Sequence, residues 1–168
     1  ATATPAHEKG CGMEQKIARA VLPHPADICI VTNGGAPLDL DFYQACKGID
    51  TAAGITRSGG IIIAIAACPY GIGPESFLKL HAAAQSPAQV MELARKAGHH
   101  AVAWQNQILA RAQANHAVYL LSGLEDSLVS RMMVTPLSSI EEGLDRAFEV
   151  LGKDVTLAVI PEGPLVIP

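Results

Sequence analysis

Asp27-Ile-Cys-Ile-Val-Thr-Asn-Gly-Gly-Ala-Pro-Leu-Asp-Leu-Asp-Phe-Tyr-Gln-Ala-Cys-Lys-Gly48 reads as a buried strand, a tight turn and the opening of a helix. Ile28 to Thr32 supply the β-branched run, Gly34-Gly35 the turn, and a helix starts near Asp39. Phe42, Ala45, Cys46, Ile49, Ala52 and Ala53 then recur at helical spacing as one apolar stripe. Gln44 and Lys47 fall on the opposite side, with Tyr43 at the edge. Residues three and four apart are surface neighbours on a helix, so phenol, amide and ammonium converge. The plain alternative is a solvated face with Lys47 paired to Asp50. Position argues for more, because the trio lies one turn beyond the carboxyl end of a strand, where open α/β sheets keep their ligands.

Working outward, Ile61–Ala66 is a continuous, largely β-branched run, the pattern of a strand covered on both faces. Val118–Leu121 and Val155–Ile160 read as further strands, and Met132–Thr135 as a short one. Helices are expected from Met13 to Val21, ended by Pro23 and Pro25, and from Gly73-Pro74 to about Ala84, with proline at the first helical position. A capping box at Ser86-Pro-Ala-Gln89 opens a helix that stops at Gly98. Trp104 to Asn115 follows, and Ser138-Ser-Ile-Glu141 caps a last helix ending at Gly152. Strands alternating with helices predict an α/β fold: a doubly wound, mainly parallel sheet with right-handed crossovers and helices on both faces. Residues 1–25 read as a lead-in, loose over 1–11 and then a short helix, joined to something upstream. Residues 26–168 read as a single domain.

The chain has 168 residues, enough for one domain with a sizeable core. It is 49% hydrophobic but only 4% aromatic, so that core must be built from Ala, Ile, Leu and Val. A net charge of −4 gives no basic footprint, which makes nucleic acid and anionic membrane poor partners. The longest apolar run, Ile61 to Cys68, is far too short to span a bilayer. No signal-peptide pattern appears at the start. Cys11, Cys29, Cys46 and Cys68 have no metal-type spacing, and a reduced, cytoplasmic protein is expected.

Three strand ends are expected at one sheet edge: Asn33-Gly34-Gly35, Cys68 to Gly73, and Ser122-Gly123. Cys68 has the position of a nucleophile, but no His or Asp accompanies it locally, and it is read as a structural thiol. Gly71-Ile-Gly73 before a helix has the look of a phosphate loop, yet the third glycine is missing and Glu75 in the first turn would repel an anion. The adjacent His99-His100 pair reads as surface or loop. His7, His24, His81 and His116 are isolated, and no His-Glu-x-x-His pattern or His/Cys cluster marks a metal site. No Gly-x-Ser-x-Gly elbow is present either. Trp104, the only tryptophan, shares a helix face with Gln107, Ile108 and Arg111. It reads by default as packing, and alternatively as a rigid wall for a planar ligand.

Thr32-Asn-Gly-Gly-Ala-Pro-Leu-Asp39 followed by Phe42-Tyr-Gln-Ala-Cys-Lys-Gly48 resembles the C-terminal domain of the lactate racemase family. The likeness continues through Cys68-Pro-Tyr-Gly-Ile-Gly73, Trp104-Gln-Asn-Gln-Ile-Leu-Ala-Arg111 and Ile160-Pro-Glu-Gly163, and so covers roughly residues 12–168. It implies a Rossmann-like domain from an enzyme that interconverts 2-hydroxy acid stereoisomers with a nickel-pincer nucleotide. In such enzymes hydride leaves the carbinol carbon for the cofactor and returns to the other face. The bases, the cofactor tether and the nickel ligand belong to an N-terminal catalytic domain, and no segment here matches them. This chain is thus expected to carry no catalytic residue and no metal, and to be inactive alone. Its implied substrate- or cofactor-facing residues are Gly34, Gly35, Tyr43, Gln44, Lys47 and Trp104. Ala36 stands where many relatives are expected to carry a bulkier residue, so the resemblance does not fix which hydroxy acid is used. The rival readings are a stand-alone α/β module holding a nucleotide or small anion without catalysis, and an inactive scaffold.

Overall fold

The computed structural model describes residues 3–97 and 103–168. Five strands form one all-parallel sheet: β1 (Ala26–Thr32), β2 (Thr56–Ile65), β3 (Ala117–Leu121), β4 (Thr135–Leu137) and β5 (Leu157–Ile160), in the order β4-β3-β2-β1-β5. Seven α-helices accompany them among the described residues: α1 (Ala3–Ala18), α2 (Phe42–Ile55), α3 (Glu75–Ala82), α4 (Pro87–Ala97), α5 (Ala103–Gln113), α6 (Asp126–Ser130) and α7 (Ile140–Leu151).

The order explains where the helices lie. From β1 to β4 the chain steps in one direction across the sheet, and right-handed crossovers put every connecting helix on the same face. Side chains of α2, α3, α5 and α6 (Phe42, Ile49, Phe77, Leu109, Val129) pack there against Cys29, Val31, Ile62, Ala64 and Leu120. The step from β4 back to β5 reverses direction, so α7 falls on the other face. Its Ala147 is buried with Ile28, Ile61, Ile63, Tyr119 and Leu137, and Leu144, Phe148 and Leu151 pack against that cluster. The doubly wound reading therefore holds, with most helices on one face.

Several boundaries differ from expectation for local reasons. β4 is Thr135–Leu137 rather than Met132–Thr135, because Met133 turns left-handed at φ +54°. Pro136 is tolerated there since β4 is an edge strand. The α7 cap sits one residue later than read. Ser139 accepts from the Glu142 N–H at 3.1 Å, and the Glu142 carboxylate accepts from the Ser138 N–H and hydroxyl at 2.7 and 2.6 Å. At α4 the Ser86 hydroxyl accepts from Gln89 N–H at 3.3 Å, as the capping box predicts. Pro74 is the cap of α3 rather than its first helical residue. The Gly98 stop and His99-His100 lie outside the described residues.

Residues 3–11, read as a loose lead-in, belong to α1. α1 as a whole carries Ala, Glu, Lys, Met and Gln, all good helix formers, and Pro5 falls in its first turn, where proline is tolerated. α1 buries almost nothing: Met13 is 57% and Ile17 81% exposed. Just past its end it is tied to the body where Ala20 N–H donates to Ile167 O and Ile167 N–H to Ala18 O, both at 2.9 Å.

At the amino ends of the strands, Asp27 joins three segments. It accepts from Arg57 Nε at 2.5 Å and from both the N–H and hydroxyl of Thr156 at 2.7 Å. These donors, those of Thr156 first and Arg57 after, hold the Asp27 carboxyl well below the usual carboxylate range. A carboxyl depressed by folding stabilises above its unfolded ionisation near pH ~3.9, and the contribution fades as pH falls towards the folded value. Asp27→Asn is therefore expected to melt below wild type at neutral pH. The gap should narrow below about pH 4, where the unfolded wild-type chain takes up a proton at Asp27 that the folded one does not. Thermal melts between pH 2.5 and 7 check this, and a gap independent of pH would refute it.

Candidate functional site

The loop after β1 is stitched to the loop after β2. Asp39 accepts from Ala67 N–H through its carboxylate and from Cys68 N–H through its carbonyl, both at 3.0 Å. Tyr70 N–H donates to Leu40 O at 2.9 Å. The same loop supplies acceptors for the start of α2: Phe42 N–H donates to Gly71 O and Tyr43 N–H to Ile72 O, each at 3.1 Å. The Asp41 carboxylate takes the Gln44 N–H at 2.7 Å. Three of the four N–H groups that a helix start leaves free are thereby satisfied. Gly71 (φ +86°) and Gly73 (φ +103°) shape this cap. Any Cβ on Gly73 would lie 2.6 Å from Tyr43 Cβ. The segment with the look of a phosphate loop is thus the cap of α2, and the helix end is closed to an anion.

Beyond the cap, α2 presents its polar side chains. Lys47 Nζ donates to Gln44 Oε1 at 2.7 Å. An ammonium only donates, so the amide oxygen must face it and the Gln44 NH₂ is turned outward. The pair turns N–H donors towards a ligand, with the amide oxygen already engaged by the ammonium. Lys47 does not pair with Asp50, which instead meets Arg111 of α5 at 2.6 Å. Two of the three expected partners are therefore brought together.

The third, Tyr43, is turned towards aromatic neighbours. Its ring stands edge-on to Phe77, with centroids 5.4 Å apart at 90°, and to Trp104 at 6.0 Å and 82°. Burial pushes the Tyr43 phenol up, and the Trp104 indole beside it acts the other way. Trp104 is 46% exposed, so it backs Tyr43 while keeping one side open.

The glycine turn lies at the other end of the site. Gly34 and Gly35 adopt φ +78° and +82°. With Thr32, Asp39, Ala66, Ala67, Ser122 and Gly123 around it, Gly35 borders a shallow depression of about 390 Å³ over the carboxyl ends of β1, β2 and β3. A further strand end, not expected from the sequence, completes this edge. β5 runs into Pro161–Gly163 beside β1, Asn33 forms an antiparallel bridge with Glu162, and Thr32 Oγ donates to Pro161 O. Gly163 passes so close to α2 that a Cβ there would lie 2.7 Å from Gly48 Cα. A larger cavity of about 620 Å³ lies along the outer edge of β5, between Leu22, Ile55, Leu157, Val159 and Val166. Its lining is mainly apolar, with His24 and Thr156 the polar side chains along it.

The remaining candidates are inert. Cys68 is buried, and its thiol is pushed up to about 12, chiefly by burial and then by Asp39 and Asp41. No thiolate forms there near neutral pH, in line with a structural thiol. His81 is fully buried between Asn106 and Gln113, at 3.2 and 3.1 Å, and burial lowers its proton affinity. Among the described residues, no three His, Cys, Asp or Glu side chains converge to hold a metal ion. None of the helices described is long and apolar enough to cross a membrane.

Residues 21–167 match the pattern described as the lactate racemase C-terminal domain. The chain belongs to that family. A lactate racemase of Thermoanaerobacterium thermosaccharolyticum is 36% identical over 166 residues, covering 96% of this chain but 39% of the relative. That of Lactiplantibacillus plantarum is 32% identical over 162 residues, covering 94% and 38%. The chain thus spans about two-fifths of the length of these relatives. The solved lactate racemase apoprotein from T. thermosaccharolyticum superposes with a TM-score of 0.88 over 96% of this chain and 40% of that one. A Thermotoga maritima protein, 12% identical with a TM-score of 0.60, shares the fold.

Proposed function

We propose that this chain is the substrate-anchoring domain of a lactate racemase-like isomerase acting on a small 2-hydroxy acid. The observation that carries the reading is the Lys47–Gln44 pair, whose 2.7 Å bond engages the amide oxygen and turns N–H donors outward on α2. A carboxylate has acceptors and no donor, so it matches that face through charge-assisted hydrogen bonds. Tyr43 and Trp104, edge-on to each other, supply a rigid aromatic surface from α2 and α5, and the Gly34-Gly35 turn lets a ligand approach the backbone. Family membership and the relatives' activity support the same assignment.

The chemistry itself is assigned elsewhere. The nickel-pincer nucleotide implied by the family resemblance finds no donor cluster among the described residues of this domain. An upstream domain carries the catalytic residues and the cofactor, and the substrate binds in the cleft between the two domains. Residues 1–25 form the connection and 26–168 the domain. Free cysteines at all four positions are consistent with a cytoplasmic protein. The closed helix end of α2 counts against a module that captures free phosphate there.

Chiral chromatography of a 2-hydroxy acid incubated with the full-length protein, and in parallel with residues 1–168, tests this reading. Interconversion is expected only in the first sample, and stoichiometric nickel in elemental analysis only there. Tight nickel binding by residues 1–168, or an inactive cofactor-loaded full-length protein, would overturn it.

A further inference from the structure

Two buried carboxamides touch α2 where its ligand-facing side chains begin. Asn33, at the end of β1, is 3% exposed, and its Nδ2 donates to Leu38 O at 2.7 Å and Gln44 O at 2.9 Å. Both neighbours are carbonyls, so the amide's orientation is fixed. Gln105, the residue after Trp104 on α5, is 0% exposed, and its Nε2 donates to Tyr43 O at 2.9 Å. Among the described residues its Oε1 finds no conventional hydrogen-bond donor. The Cys46 thiol that interacts with this side chain is only a weak donor. Leaving that oxygen unsatisfied in the core is costly, and an apolar side chain of similar shape would avoid the cost.

Tyr43 O and Gln44 O are consecutive carbonyls in the first turn of α2. Each already has a helical N–H four residues on, and the amides use the second lone pair. The first is gripped from the α5 side and the second from the strand side, which fixes the helix about its own axis. α5 also carries Trp104, so Gln105 locks the tryptophan's helix to the backbone of the tyrosine that it faces.

We infer that Asn33 and Gln105 are positioning residues of the ligand site: a pair of buried amide clamps that hold Tyr43, Gln44, Lys47 and Trp104 in fixed mutual register. The inference rests on the proposed anchoring role of Lys47. It assigns to these two positions a function that the core alone does not require.

The test uses the full-length protein carrying Gln105→Met, Gln105→Glu, Asn33→Asp and, separately, Lys47→Ala. Each is followed by a melting curve and by kcat and KM for hydroxy-acid interconversion. Gln105→Met keeps the volume and removes the donor. It is expected to stay folded while kcat/KM falls about ten- to hundredfold at every pH, since misplacement by ~1 Å can cost about that much. Gln105→Glu donates to Tyr43 O only while its carboxyl is protonated. Its activity relative to wild type should therefore decline as pH rises through the ionisation of that new group, a slope absent from Gln105→Met. Tyr43 and Cys46, the ionisable neighbours, are both shifted upwards by burial and stay neutral in this range. Asn33→Asp should lose kcat/KM in the same way as Gln105→Met.

Wild-type kcat/KM in folded Gln105→Met and Asn33→Asp would overturn the inference. So would loss of activity that only tracks loss of fold, with no pH slope in Gln105→Glu, because the amides would then be ordinary core residues. Should Asn33→Asp not fold, Gln105→Met and Gln105→Glu decide. A fully active Lys47→Ala would sink the anchoring proposal itself, which is a separate outcome from clamp variants that fail to matter.

Discussion

Lys47→Ala in the full-length protein is expected to cut turnover by orders of magnitude while leaving the melting curve almost unchanged. The side chain is exposed and makes one exposed bond, to Gln44. Such surface substitutions shift stability by no more than about 0.5 kcal/mol. A charge-assisted hydrogen bond to a substrate carboxylate in a closed site contributes roughly 3 kcal/mol or more, at least a hundredfold in rate. Lys47→Arg should not restore activity. Gln44 Oε1 is placed for a compact ammonium, and a planar fork carries its donors at a different reach and angle. Melting and turnover must be measured on the same preparations. Full activity in Lys47→Ala would reduce this helix face to a solvated one.

Phe77→Ala should show the opposite signature. Phe77 is 0% exposed, with Phe42 at 6.3 Å, Tyr43 at 5.4 Å and His81 at 6.3 Å between ring centroids. Removing a fully buried phenyl leaves a cavity, and the loss is about 3–5 kcal/mol. For a chain of this size that lowers the melting temperature by roughly 10 °C. The cavity opens directly under Tyr43, whose other edge meets Trp104. As the only tryptophan, Trp104 reports the change in its fluorescence before the main transition. A melting temperature within 2 °C of wild type would show that α3 collapses into the gap.

What the sequence made legible was whatever local spacing encodes. Ile61–Ala66 reads as a doubly covered strand because no polar residue interrupts it, and Ile61, Ile62 and Ile63 are indeed almost wholly buried. The Gln44–Lys47 pairing follows from three-residue spacing alone. Tyr43 could not be placed that way. Its direction is set by Phe77 and Trp104, 34 and 61 positions further along the chain, and periodicity puts it merely at an edge. Gln105 was missed for the same reason, whereas Asn33 was read only as part of the turn at the sheet edge, although its partners lie just 5 and 11 residues on. A glutamine within a helix looks like any polar helical residue until its partner, 62 residues away, is known. The neighbour of β1 was equally hidden: β5 sits beside it only because the last crossover reverses direction, and strand order leaves no local mark.

That reversal also sets the order in which the molecule can be finished. The hydrogen bond from Thr32 to Pro161 closes a separation of 129 residues. β1, β2 and β3 can pair as the chain lengthens, but the Asn33–Glu162 bridge and the Gly48–Gly163 contact must wait for residues near the end. Closing so long a loop delays such contacts, and during synthesis the N-terminal portion folds first. The turn before α2 therefore stays open on one side until Pro161–Gly163 have been made. The part of this domain that holds the ligand-facing residues is among the last to close, although the segment bearing them is synthesised before most of the domain's other strands.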